Sequence, residues 1–188
     1  MIEVIRAAAE LQAVCEAEGW RFCFIGELAL QRWGEPRETV HVHLTLLTGF
    51  GGEEPFIETL LSHFEARIDD AAQFALSRRV LLLRAKSGVG LDIAHGGLPL
   101  EESAVARSSK FTFRGDVLLR TCSAEDLIVM KAFAARGRDW VDIEGIITRQ
   151  AGKLDWSYID SQLRPLVELK GEPGILAELK RRRVEFER

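Results

Sequence analysis

Two histidines separated by a single valine, in the run Thr39-Val40-His41-Val42-His43-Leu44-Thr45, are the residues of this chain best placed to do chemistry. Residues two apart on a strand project to the same side, so two imidazoles spaced this way can reach one ion. Asp92, between Leu91 and Ile93 in a second apolar run, would point away from those neighbours and could complete a set of two histidines and one carboxylate. Such a set suits zinc, iron, nickel or copper. It suits magnesium poorly, because magnesium is hard and asks for oxygen ligands in octahedral order. His95, three residues beyond Asp92, would face the other way on a regular strand.

The elements that must position these groups can be read from periodicity. Glu38 to Leu47 is predicted as a strand, with Thr39, His41, His43 and Thr45 on a polar face and Val40, Val42, Leu44 and Leu46 on an apolar one. Before it, residues 2 to 18 show helical spacing stopped by Gly19, and Trp20 to Ile25 reads as a buried strand. A short helix over Glu27 to Trp33 is then ended by Gly34 and Pro36. A glycine loop at Gly49, Gly51 and Gly52 leads into a helix over Glu53 to Phe64. Arg79 to Arg84 and Val89 to Ala94 read as a hairpin turning at Lys86-Ser87-Gly88, and Leu100 to Arg107 as a short helix. A second hairpin is predicted over Phe111 to Phe113 and Val117 to Arg120. From Ser123 the pattern is helical: to Ala135 with Gly137 just past the end, then Asp139 to Arg149, Tyr158 to Glu168 and Gly174 to Phe186. A mixed sheet with helices before, between and after it is an α/β or α+β architecture. The expected organisation is an α/β core over residues 1–122 and a helical segment over residues 123–188 packed on it as one compact unit.

Bulk composition excludes several classes. Apolar residues make up 47% of 188, enough for a packed core. No apolar run is long enough to cross a bilayer and the first residues lack a cleavable signal pattern, so a cytoplasmic protein is the expectation. The net charge of −4 and pI near 5.7 argue against a general nucleic-acid coat. The one strong cationic run, Lys180 to Arg183, reads as a solvated helix end rather than a phosphate contact. Cys15, Cys23 and Cys122 are odd in number and lack metal-ligand spacing; Cys23 reads as a small buried hydrophobe.

Three separated blocks share an order and spacing. The first is Phe24-Ile25-Gly26-Glu27-Leu28-Ala29, then Pro36-Arg37-Glu38-Thr39, then His41-Val42-His43-Leu44. The second is Gly90-Leu91-Asp92-Ile93, followed by Glu101-Glu102 and Ala106-Arg107. The third is Ser123-Ala124-Glu125-Asp126-Leu127-Ile128-Val129-Met130-Lys131, then Arg136-Gly137-Arg138-Asp139-Trp140-Val141-Asp142. Together, over roughly residues 20 to 150, they resemble the AbiEii-type branch of the nucleotidyltransferase superfamily, which includes toxins of abortive-infection systems.

The resemblance implies a short mixed sheet flanked by helices, a helical tail, and transfer of a nucleoside monophosphate from a triphosphate to an acceptor hydroxyl on tRNA, another RNA or a protein. It implies a divalent metal, magnesium or manganese, and an antitoxin-like partner or a homodimer as candidate assemblies. It carries nucleotide-binding roles onto Gly26, Glu27, Arg37, Lys131, Asp139 and Asp142, and the acceptor-activating acid onto Asp92. The chain departs from the family pattern twice. Glu27 stands where a second glycine is expected beside the triphosphate, and His41 and His43 stand where the metal-binding acids are expected.

Plain readings stand beside these roles. Arg37 would pair with Glu35 or Glu38 at the surface, Lys131 would be an exposed lysine on an amphipathic helix, and Asp139 would be an N-terminal helix charge with Asp142 one turn on. Four readings of the histidine strand remain open. They are a degenerate site in a binding or regulatory module, an altered transferase, a metal site of unrelated purpose, and plain solvated strand residues on a polar face. The alternative from another class is a non-catalytic interaction module that pairs with a partner protein through its helical tail and leaves the cleft empty.

Overall fold

The computed structural model describes residues 1–187. Two compact units are present: Met1–Leu28 with Glu38–Cys122, and Ala29–Arg37 with Ser123–Arg188. Residues 29–37, which precede the histidine strand, therefore belong with the second unit.

The first unit is built on a seven-stranded mixed sheet of order β3-β4-β5-β2-β1-β7-β6. Its strands are β1 (Phe22–Ile25), β2 (His41–Leu47), β3 (Glu65–Ala66), β4 (Val80–Arg84), β5 (Gly90–Gly96), β6 (Ser109–Phe113) and β7 (Val117–Thr121). Its helices are α1 (Ile2–Ala17), the start of α2 (Gly26–Trp33), α3 (Glu54–His63), α4 (Ala71–Arg78) and α5 (Pro99–Ala106). β2 pairs antiparallel with β1 and parallel with β5, and β4 pairs antiparallel with β5. Phe22, Phe24, Val42, Leu44, Leu46, Leu81, Leu83, Leu91 and Ile93 belong to one buried core with Ile5, Ala8 and Leu11 of α1, Ile57 and Leu60 of α3 and Ala75 of α4. The alternation in β2 thus commits one face to apolar packing and leaves the histidine face outside it.

The predicted strands and hairpins are present with ends shifted by one to three residues. Residues 65–78, which lack clean periodicity, form β3 and α4. The caps of α4, Asp70 and Arg79, both sit in the left-handed region (φ 52° and 57°), which favours glycine and so hides the boundary from a sequence reading. Gly137 is a further difference: Ala135 itself takes the left-handed cap of α6 (φ 54°), and Gly137 opens the next helix.

The second unit contains α6 (Ala124–Ala134), α7 (Gly137–Arg149), α8 (Trp156–Lys170) and α9 (Gly174–Phe186). Ser123 caps α6 by accepting from the Asp126 backbone N–H at 3.1 Å, and Asp155 caps α8 through Tyr158 at 3.0 Å. The 180–183 run lies on α9, and its three arginines are ion-paired: Arg181 and Arg182 engage Glu178, Arg182 also engages Glu144, and Arg183 engages Glu187 and covers the Trp156 ring. Among the described residues no helix is long and apolar enough to cross a membrane. All three cysteines are buried thiols, and burial pushes Cys15 up to about 12.

His95 lies on the core face of β5, opposite in orientation to Asp92. It is 2% exposed, and neither ring nitrogen has a hydrogen-bond partner among the described residues. Burial, helped by the Arg79 guanidinium and opposed by Glu53, pushes it from 6.5 down to about 4. Between these values the unfolded chain binds a proton that the folded chain refuses. Stability present above pH 6.5 is therefore lost as pH falls towards 4. His95→Leu is expected to remove that loss. Between about pH 7 and pH 5, urea unfolding of the wild type should lose about 2 kcal/mol more than the variant does.

Candidate metal centre

The parallel register of β2 and β5 sets His43 opposite Asp92 and His41 opposite Gly90, while the antiparallel register with β1 sets Ile25 opposite His43. Gly26 and Glu27 follow Ile25 directly, so the strand-to-helix turn into α2 arrives beside the histidines. Ligand atoms of His41, His43 and Asp92 all lie within 4.8 Å of one another. His41 Nδ1 is 3.6 Å and His43 Nδ1 is 3.7 Å from the same oxygen, Asp92 Oδ2. The three side chains are half-buried, reachable yet shielded.

The donor set tests which ion fits. Two ligands about 2.0–2.1 Å from a tetrahedral zinc stand roughly 3.3 Å apart, so the two histidine–Asp92 separations need to close by only a few tenths of an ångström. Magnesium does not fit: two of the three donors are imidazole nitrogens, and the second oxygen of Asp92 is held by Arg67 at 2.5 Å. The three residues can hold a metal ion of the imidazole-preferring class.

Glu27, the residue in place of the expected second glycine, has a local use. Its Oε2 is 3.3 Å from His43 Nε2, the nitrogen away from Asp92. A carboxylate there favours a proton on Nε2 and so presents Nδ1, on the Asp92 side, as the ligand atom, the usual outer support of a metal-binding histidine. Gly26 has φ +58°, and a Cβ built on it would lie 3.2 Å from His43 Cδ2. The space that glycine keeps open is thus taken by the protein's own imidazole. Gly26→Ala is expected to cost about 1–2 kcal/mol in thermal unfolding, from the left-handed backbone and the shift forced on His43.

The remaining residues singled out from sequence gather in the second unit. Lys131 is 6% exposed, donates to Asp142 Oδ2 at 2.7 Å and lies 3.5 Å from Asp139 Oδ1. Arg37 grips both oxygens of Asp142 at 3.1 Å, and Gln31 donates to the Arg37 carbonyl at 2.6 Å. Burial alone would raise the Asp139 carboxyl, yet Arg136 and Lys131 hold it below the usual carboxylate range. Arg37 thus pairs with Asp142, 105 positions away in the sequence. Lys131 is buried rather than solvated. The signal for this is in α6 itself: Leu127, Ile128, Val129 and Ala132 point in several directions around the helix and are buried with Lys131, so apolar packing is not confined to one face.

No protein-family model and no curated protein matches the sequence. Solved structures do match the fold. A nucleotidyltransferase-like antigenic protein from Paracoccidioides brasiliensis superposes over 96% of this chain and 93% of its own, with a TM-score of 0.54 and 15% identity. The antibiotic-resistance factor ANT(2'')-Ia, in its solution structure, superposes over 97% of this chain and 90% of its own, with a TM-score of 0.50 and 13% identity. At these identities the likeness shows the fold alone: a nucleotidyltransferase-like mixed sheet with flanking helices.

Proposed function

We propose that this chain is a nucleotide-binding protein of the nucleotidyltransferase fold whose metal site has been rebuilt from carboxylates to imidazoles. His41, His43 and Asp92 would hold one zinc-class ion, and that ion would supply the positive charge that attracts the phosphates of a nucleoside triphosphate to this pocket of the first unit. The observation that carries this reading is the convergence of the three ligand groups within 4.8 Å at the turn into α2. Without an ion, Glu27 and Asp92 would repel a polyphosphate, so nucleotide binding depends on the metal.

Transfer chemistry is altered or lost on this reading. In-line transfer leans on ions that neutralise charge growing in the transition state, and binding the ground state alone does not catalyse. If transfer survives, Asp92 is the acid beside the acceptor hydroxyl of an RNA or a protein. The three motif blocks favour the AbiEii-type branch as the source of the scaffold. Arg37, Lys131, Asp139 and Asp142 are assigned to the integrity of the second unit, because their charges are spent on one another.

A thermal-shift series tests the function: the full chain with zinc, manganese or magnesium alone, and each with ATP. Zinc at a hundred times its dissociation constant should raise the midpoint by about 5–10 °C, with a further rise on adding ATP. No further rise with ATP, or an equal response from the variant carrying His41→Ala and His43→Ala, would contradict it.

A further inference from the structure

Arg67 lies outside every motif, yet it reaches into the histidine pocket. It follows directly on the edge strand β3, and its backbone N–H donates to the Leu82 carbonyl at 3.0 Å. From there the side chain crosses β4. Nη2 sits 2.5 Å from Asp92 Oδ1, and Nη1 is 3.5 Å from His41 Nε2. The seat is built for it. Gly90 stands opposite His41, and a Cβ there would run into both the guanidinium and the His41 ring.

We propose that Arg67 is an internal counter-ion that occupies this site in competition with the metal, and so sets both its affinity and its selectivity. This deepens the metal-dependent reading and rests on it. Asp92 has two oxygens: Oδ1 is held by Arg67, and Oδ2 is the one facing both histidines. A divalent ion on Oδ2 would lie close to the guanidinium and repel it across a half-buried pocket. His41 is committed in the same direction. A guanidinium N–H aimed at Nε2 asks for a lone pair there, which puts the ring proton on Nδ1 facing Asp92, whereas a metal at Nδ1 needs the opposite tautomer. His43 is outside the reach of this arginine and has Glu27 at its Nε2. The pocket therefore has two ligands, Asp92 and His41, that must exchange Arg67 for the ion. A hard ion gains little from two imidazoles and does not displace the arginine; an imidazole-preferring ion does. Arg67 is a positioning residue here, acting through Asp92 and His41.

The test is zinc and magnesium affinity of the full apo chain, by competition with a chromophoric chelator, in wild type, R67Q, R67M, R67K and H43Q. R67Q should bind zinc at least about tenfold more tightly than wild type, and R67K within about threefold of it, because the lysine keeps the charge. R67M keeps the aliphatic stem and serves if R67Q does not fold; the same gain is expected of it. H43Q should lose zinc binding by about 100-fold, and magnesium should bind wild type only weakly. Unchanged or weaker zinc binding in R67Q and R67M would overturn the inference, since a merely structural arginine weakens the site when removed. If H43Q binds zinc as wild type does, the metal-dependent reading fails and takes this inference with it. If H43Q loses zinc while R67Q matches wild type, only the role of Arg67 falls.

Discussion

Replacing Asp142 by alanine is expected to cost about 3–5 kcal/mol of stability. Asp142 is 5% exposed and joins two cations: Lys131 at 2.7 Å and the Arg37 fork at 3.1 Å. Removing it strands a buried ammonium whose remaining carboxylate, Asp139, is 3.5 Å away and already shared with Arg136. The penalty is mostly that of the uncompensated charge, not the net worth of the pair, so Asp142→Asn should fall between wild type and alanine. Asp160→Ala is the control: its pair with Arg164 on α8 is over half exposed on both sides and should be worth under about 1 kcal/mol. Urea unfolding of the three variants makes the comparison. A cost near that of Asp160→Ala would return Asp142 and Lys131 to the pool of residues available to a ligand.

The second large effect is a change of metal. The double replacement His41→Asp with His43→Asp supplies carboxylates to both β2 positions while leaving Asp92 and the strand register in place. Zinc affinity should fall by about 100-fold and magnesium affinity should rise, because the donor set becomes all oxygen. With magnesium held, labelled-nucleotide transfer to RNA or protein is expected to appear if the scaffold is otherwise competent. Metal titration followed by a transfer assay separates the two steps. Loss of zinc without gain of magnesium would mean that Arg67 or Glu27 still shapes the pocket against hard ions.

The parts legible in the sequence were those that a period of two can carry. The alternation of β2 puts His41 and His43 on one face, and Leu91 and Ile93 put Asp92 opposite to them, so the pocket follows from strand geometry plus one parallel pairing. The hairpin of β4 and β5, the start of α6 at Ser123 and the change to an all-helical pattern also follow from local signals. Arg67 could not be read this way. It sits after a two-residue strand at the sheet edge, 25 positions before its partner Asp92, and no periodicity links the two. The pairing of Arg37 with Asp142 spans 105 positions and is equally invisible to local patterns. Lys131 is hidden from a local pattern for a different reason: Leu127, Ile128, Val129 and Ala132, spread around α6, are buried with it, so position 131 does not face solvent.

The function proposed for the first unit requires His41, His43 and Asp92 to share one ion. X-ray absorption at the zinc edge, on the full chain loaded with one equivalent of zinc, reads that coordination shell directly. A nitrogen and oxygen shell with the outer-shell scattering of two imidazole rings is expected, reduced to none in the variant carrying His41→Ala and His43→Ala. A shell without imidazole scattering, or one that the double variant leaves unchanged, would contradict it.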